Sequence, residues 1–446
     1  MTDIRKYLES HKEEMIADLR ELVAIPSVQG DAEEGLPFGK FPAQALEAML
    51  NKCKAAGFTV ENVENYAGSA DVNSLPPELA ILSHLDVVPV GEGWTSPPFT
   101  LTADGDKLVG RGAIDDKGPA VAALYAAKAV KDLGIPLKKG VRLIFGTNEE
   151  NGSADLAYYR KNRKLPPMVF TPDGEYPVIN GEKGMLRVYF STVWEHPWEI
   201  KAGTVINAVP SSCEIRSVFD PKKGCGVSIN TDGSTEPITE ITESAEIING
   251  VSAHASTPEK GNNAITKFLA SGMMAVDEMK ALNLLFPHGE TDGASCGLGF
   301  SDDLSGKMTC VLSMLNTKNG RLHGGIDIRF PLDRNKDEIS DIICGKLREA
   351  GFDIDSCEGV EPHLTDENSD FVQSLLRVYE RVTGDKGRCI AIGGGTYVHE
   401  IEGGVAFGAE FPNEDGRMHS PDEFITVENL LKNAEIMAEA IVEICG

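Results

Sequence analysis

Residues 146–152 read GTNEENG and follow the apolar run VRLIF, so two carboxylates, Glu149 and Glu150, stand side by side where a strand-like segment ends. Adjacent like charges repel, and neighbours on a strand point to opposite faces. Taken alone, the pair is accounted for by a solvated turn. Other polar residues occupy comparable places. SHLDVVP puts His84 and Asp86 two residues apart, on one face of an extended chain. There an imidazole can ligate a metal while the carboxylate fixes its tautomer, although a hydrogen-bonded structural histidine fits as well. GRGAIDDKG places Asp115 and Asp116 in a glycine-rich loop leading into a helix, where N-capping is the alternative to ligation. Its glycines lack the G-x-x-x-x-G-K-[ST] spacing of a P-loop. Asp173 follows the run MVF in TPDG, a setting that also suits an Asx turn. His419 lies in DGRMHSPDE, in a loop before a helix.

Each of these has an ordinary structural explanation, but their combination points to shared chemistry. Two histidines with several Asp and Glu suit a pair of divalent ions that share one carboxylate. If Glu150 faces a metal, Glu149 beside it can face the attacking water as general base. The cations would then offset the repulsion between the two carboxylates.

The elements that must position these residues alternate between helix and strand from about residue 40 to 185. PAQALEAMLNKCKAAG reads as a helix ended by Gly57, ELAILSHLDVV as a buried strand, and GPAVAALYAAKAVKDLG as an alanine-rich helix. The strand VRLIFGTN, the helix ADLAYYRKN and the strand MVFTPDG follow. This order predicts an α/β fold with a mostly parallel sheet flanked by helices, in which ligands sit at the carboxyl ends of the strands. From about 187 to 361, short strand-like runs (MLRVYFSTVWE, AEIINGVSAH, GGIDIRFPL) dominate, with the helix AITKFLASGMMAVDEMKAL among them. The α/β pattern returns at DFVQSLLRVYERVTG and ends in the helix ENLLKNAEIMAEAIVEI. The expectation is a catalytic domain in two parts, 1–186 and 362–446, with an inserted α+β domain at 187–361. Near the start, Ile4, Leu8, Met15, Leu19 and Leu22 fall at helical spacing and predict one amphipathic helix.

Composition narrows the function classes. The formal charge of −27 lacks the basic footprint expected of a nucleic-acid binder. No apolar run approaches the roughly 18–20 residues that span a membrane, and the first residues lack the apolar core of a signal peptide. The nine cysteines form no C-x-x-C pair, so reduced thiols in a cytoplasm are the expectation.

The motifs SHLDVVP, GRGAIDDKGP, GTNEENG and MHSPDE, with GVSAHASTPEKGNNAI between them, occur in the order of the M20 family of co-catalytic metallopeptidases, which the chain resembles over nearly its whole length. FTPDGEYPVINGEKG, GTVINAVPSS, GIDIRFP and GGGTY are similar to the PepV-type Xaa-dipeptidases within it. The resemblance implies a co-catalytic zinc peptidase-like catalytic domain with an inserted lid. It implies that His84 and Asp173 hold one metal and Glu150 and His419 the other, with Asp115 bridging and the peptide after it cis. That subgroup ligates through Asp after the third strand, as Asp173 would. Asp86 would orient His84, and Glu149 would be the general base. His254, from the lid, would stabilise the oxyanion. Asn207, Arg329, Gly394, Gly395 and Thr396 would bind the substrate, Arg329 by pairing with its carboxylate.

The implied activity is metal-dependent hydrolysis of short peptides, above all unblocked dipeptides. Zn²⁺ is the expected metal, with Mn²⁺ or Co²⁺ compatible. The enlarged lid implies a monomer. In one place the chain departs from the subgroup's pattern: GGGTYAR becomes GGGTYVHEIEGG, so His399 and Glu400 stand near the implied carboxylate site and put side-chain preference in question. Two rival readings are an N-acyl amino-acid deacylase of the same architecture and a nucleotide-binding phosphotransferase built on GRGAIDDKG and GGGTY. The second leaves His84, His254 and His419 without a task.

Overall fold

A computed structural model describes residues 2–219, 227–229, 235–237 and 242–446. The chain forms two compact units, one of Met1–Gly181, Leu364–Ala391 and Gly395–Gly446, the other of Glu182–His363 and Ile392–Gly394.

The first unit is built on a sheet in which the strands run in the order Thr59–Val63, Ala67–Asp71, Gly140–Gly146, Pro77–His84, Met168–Thr171, Val405–Ala406 and Val178–Glu182. The pairings from Gly140–Gly146 through Val405–Ala406 are parallel. Those on either flank are antiparallel. Because side chains alternate along a strand, Leu79 and Ile81 enter one core while Ala80 and Leu82 enter the other. Both faces are covered, which is why this strand reads as an unbroken apolar run.

The larger core lies under the helices Lys40–Ala55, Lys117–Asp132, Asp370–Thr383 and Val427–Cys445. Lys117–Asp132 is buried along nearly its whole length; its alanines favour the helix and let the neighbouring helix Val427–Cys445 approach closely. On the other face, Leu156 and Tyr159 of the helix Ala154–Asn162 pack with Ile144, Val169 and Tyr397.

The predicted N-terminal helix is two, Asp3–Ser10 and Lys12–Val23. His11 leaves helical geometry at φ −106°, ψ 10°, and its Nδ1 and the Ser10 hydroxyl both engage the Tyr7 carbonyl. Such local side-chain bonds compete with the helical ladder.

The second unit has an antiparallel seven-stranded sheet, ordered Thr242–Asn249, Ser212–Phe219, Trp198–Ala202, Thr309–Lys318, Arg321–Phe330, Gly184–Val193 and Asp353–Val360. Leu186, Val188, Phe190, Ile326 and Ile328 of its central strands form a core with the helices Ala264–Ser271, Asp277–Leu285 and Lys336–Glu349. The single helix predicted across AITKFLASGMMAVDEMKAL is therefore broken. Gly272 takes φ +65° and ends the first segment, a conformation that glycine adopts without steric cost.

Candidate metal centre

Three neighbouring strands of the parallel core deliver polar residues to one end of the sheet. Pro77–His84 ends on His84, whose register partner is Gly146, the last residue of Gly140–Gly146. Glu149 and Glu150 follow on a 3-10 turn, Glu149–Asn151, and so lie beyond the strand rather than on it. Asp173 comes two residues after Met168–Thr171.

Asp115 arrives from the glycine-rich loop and stands between the two histidines. One of its oxygens is 2.9 Å from His84 Nε2 and the other 2.8 Å from His419 Nε2. His84 Nε2 is also 3.7 Å from Asp173, and His419 Nε2 is 3.2 Å from Glu150. The Asp115–Asp116 peptide is cis, as the resemblance implies. His419 sits at φ +58°, a sparsely populated region for a residue with a Cβ. Strain of that kind persists where the surroundings over-determine it.

Around these groups lies a frame of buried carboxylates that receive backbone amides. Asp116 accepts the amide of His84 at 2.9 Å. Glu423 accepts those of Ile114 and Asp115 at 3.0 and 3.2 Å, and its other oxygen receives Arg111 Nη1 at 2.6 Å. Asp86 accepts the amides of Glu149 and Glu150, while His84 Nδ1 lies 3.0 Å from the Asp86 carbonyl oxygen and 3.5 Å from its carboxylate. Lys117 Nζ donates to the carbonyls of Leu22 and Ile25, tying the loop to the second N-terminal helix. Arg111, Asp155, Tyr397 and Glu423 have no role in the sequence reading, although three of them lie inside the motifs quoted there; Asp116, read there as a capping or ligating candidate, makes no side-chain cap bond and instead holds the His84 amide.

The electrostatics ask for positive charge. Asp115, Glu149, Glu150 and Asp173 crowd two imidazoles, and Glu150 Oε1 is buried without a hydrogen-bond partner among the described residues. Burial, and then the neighbouring Asp115, push the Asp173 carboxyl up to about 7. Burial, and then Asp173, raise Glu149 well above the usual carboxylate range. Burial works against a charged His419, but Asp115 and Glu150 overcome it and raise the imidazolium to about 11. The protons held here are those that bound cations would displace. Ligand atoms of His84, Glu149 and Asp173 lie within 4.8 Å of one another, and so do those of His84, Asp115 and Glu150. These residues fit a two-metal centre.

Within the second unit, Asn207 and His254 are brought together. Ala208 pairs with His254 in a short antiparallel ladder, and the Asn207 carbonyl accepts the Ala255 amide at 2.9 Å. Ser256 Oγ lies 2.7 Å from His254 Nδ1. Arg329 is buried, gripped by Asp327 through Nε at 2.6 Å and Nη2 at 3.1 Å, and its Nη1 donates to the Gly393 carbonyl at 3.1 Å. Gly394 closes this unit's second segment, while Gly395 and Thr396 belong to the first unit, where Thr396 Oγ1 caps the 3-10 helix Tyr397–Glu400.

Residues 80–443 match the family described as peptidase family M20/M25/M40. The chain belongs to this family. It is 35% identical over 465 residues to a Beta-Ala-Xaa dipeptidase of Lactobacillus delbrueckii subsp. lactis, covering 99% of this chain and 98% of that one. Its fold is that of M20 peptidases. It superimposes on human carnosine dipeptidase 1 with a TM-score of 0.64 at 18% identity, covering 99% of this chain and 98% of that one. The dipeptidase Dug1p of Saccharomyces cerevisiae gives a TM-score of 0.62 at 14% identity, over 99% and 98%.

Proposed function

We propose that this M20 chain is a metallo-dipeptidase that hydrolyses the amide bond of unblocked dipeptides. The observation that carries the reading is Asp115, each of whose oxygens meets a different histidine, as a carboxylate shared between two ions would. The likeness to a Beta-Ala-Xaa dipeptidase along the whole chain supports the substrate class. His84 and Asp173 would hold one ion, Glu150 and His419 the other, and Asp115 both. Zn²⁺ suits this mixture of imidazole and carboxylate, as do Mn²⁺ and Co²⁺. When bound, such a pair supplies Lewis acidity to the scissile carbonyl and acidifies water.

The chain's own groups do the rest. Glu149 takes the proton of the attacking water and passes it to the leaving amine. His254 donates to the oxyanion. Arg329, prevented from swinging by Asp327 and the Gly393 carbonyl, offers its remaining N–H groups to the dipeptide carboxylate, with Asn207, Gly394, Gly395 and Thr396 completing the substrate contacts. The second unit would act as a lid that excludes water. The eight described cysteines are free thiols, in keeping with a cytoplasmic enzyme, and the enlarged insertion favours a monomer.

The test is hydrolysis of a panel of free dipeptides, tripeptides and N-acetyl amino acids by metal-stripped protein, with Zn²⁺, Mn²⁺, Co²⁺ or no metal restored. Metal-dependent cleavage confined to free dipeptides supports the reading. Cleavage only of the acylated substrates makes the protein a deacylase, and metal binding without cleavage overturns the assignment.

A further inference from the structure

The turn that carries Glu149 and Glu150 presents four successive backbone amides, from Thr147 to Glu150, and two buried aspartates account for all of them. Asp86 holds the last two. Asp155 Oδ2 holds the first two, at 2.5 Å from Thr147 N and 2.8 Å from Asn148 N. Asp155 has no exposed surface, and its Oδ1 accepts the Leu156 amide at 2.6 Å. A further donor to Oδ2 is the hydroxyl of Tyr397, at 2.5 Å. Tyr397 is buried as well, and its ring stands edge-on to the His84 imidazole with centroids 6.2 Å apart. The strand makes room for this contact: a Cβ on Gly146 would overlap the Tyr397 hydroxyl.

A phenol placed against a carboxylate that already holds three amides does more than fill space. Its bond fixes where Asp155 Oδ2 lies, and with it the first half of the turn. Tyr397 also follows directly on Gly395 and Thr396, so one hydroxyl joins the proposed substrate loop to the proposed base turn.

We propose that Tyr397 and Asp155 are positioning residues for the hydrolysis, holding the Thr147–Asn148 end of the turn so that Glu149 points at the attacking water. The proposal rests on the reading of Glu149 as general base. Neither residue is a proton donor or acceptor in the reaction. Their effect is on the angle of approach, to which catalysis is sensitive: a misplacement of about 1 Å can cost ~100-fold in rate.

The experiment uses the metal-loaded protein and measures kcat, KM, bound metal and melting temperature for Tyr397→Phe, Asp155→Asn and the double variant. Tyr397→Phe keeps the ring and its packing; kcat is expected to fall ~10-fold while KM and metal content stay at wild-type values and the melting temperature drops by only a few degrees for the lost bond. Asp155→Asn should lower kcat further, towards ~100-fold. The double variant should be no slower than Asp155→Asn, because the hydroxyl acts through that carboxylate. A Tyr397→Phe kcat within about twofold of wild type overturns the proposal, and so do losses that simply multiply or a defect confined to metal content or melting temperature. If Asp155→Asn does not fold, Tyr397→Phe decides alone. Glu149→Gln is run alongside. Should it remain active, the general-base reading itself falls; should it be silent while Tyr397→Phe is fully active, only the positioning role falls.

Discussion

The Oδ1 atom of Asp86 accepts the backbone amide of Glu149 at 3.1 Å, and Oδ2 accepts that of Glu150 at 3.2 Å. The same residue meets His84 Nδ1 most closely through its main-chain carbonyl. Its carboxylate therefore serves the turn that bears the two glutamates at least as directly as it serves the imidazole. Both groups are buried, where a lost hydrogen bond to a charged partner is costly.

Asp86→Asn separates the two tasks. The substitution leaves the main-chain carbonyl, and hence the closest His84 contact, in place. It replaces one acceptor oxygen by an NH₂ group that would face an amide donor. We expect activity and metal affinity to fall by roughly 10–100-fold, the usual range for groups that support metal ligands. Steady-state kinetics and a chelator competition check this. Near wild-type values in both would mean that the carbonyl alone orients the site.

Beneath Asp115 the buried pair of Arg111 and Glu423 gives a second prediction, this time on stability. Removing one partner strands a charge in the interior, which costs roughly 3–5 kcal/mol. Replacing both with apolar residues of similar volume is often close to neutral. Arg111→Met and Glu423→Leu should thus each lower the unfolding midpoint in urea more than the double variant does. The double variant also loses the acceptor for the Ile114 and Asp115 amides, so its metal affinity should not recover with its stability. Destabilisation by the double equal to the sum of the two singles would show that the charges are not coupled.

That pair also marks where sequence reasoning stopped. The residues gathered at the centre were legible only in combination, each at the boundary of an element that the sequence marks: His84 and Asp173 after apolar strands, Asp115 between glycines and a helix, His419 before one. Arg111 and Glu423 stand 312 residues apart, and Asp155 and Tyr397 stand 242 apart, so no spacing links them. Each is an ordinary polar residue in its own segment and acquires its role only when the fold buries it against the other. The fold was legible for a similar reason, since alternating helices and apolar strands are repeated local patterns. The errors came where the pattern continued through a break: the apolar period of AITKFLASGMMAVDEMKAL runs past Gly272, and the N-terminal period runs past His11. Backbone geometry at one residue decided both, and periodicity does not register it.

Away from the centre, Glu410 gives a prediction in pH. Burial, and then Glu175, Asp415 and Glu414, push its carboxyl up to about 7, against the opposing bond from the Gly416 amide. The folded protein therefore binds this proton more tightly than the unfolded chain, whose glutamate titrates near 4.5. Stability falls with rising pH wherever the native state binds more protons. Glu410 should leave the protein unaffected below about 4.5 and cost stability progressively as pH rises to about 7. Glu410→Gln keeps an acceptor for the Gly416 amide and removes the charge. Its melting temperature should exceed that of wild type at pH 8, by a few degrees because the side chain is partly solvated, and the gap should close as pH approaches 4.5. A gap of the same size at both pH values would assign the change to packing, and a lower melting temperature at pH 8 would mean that the ionised carboxylate is favoured where it lies.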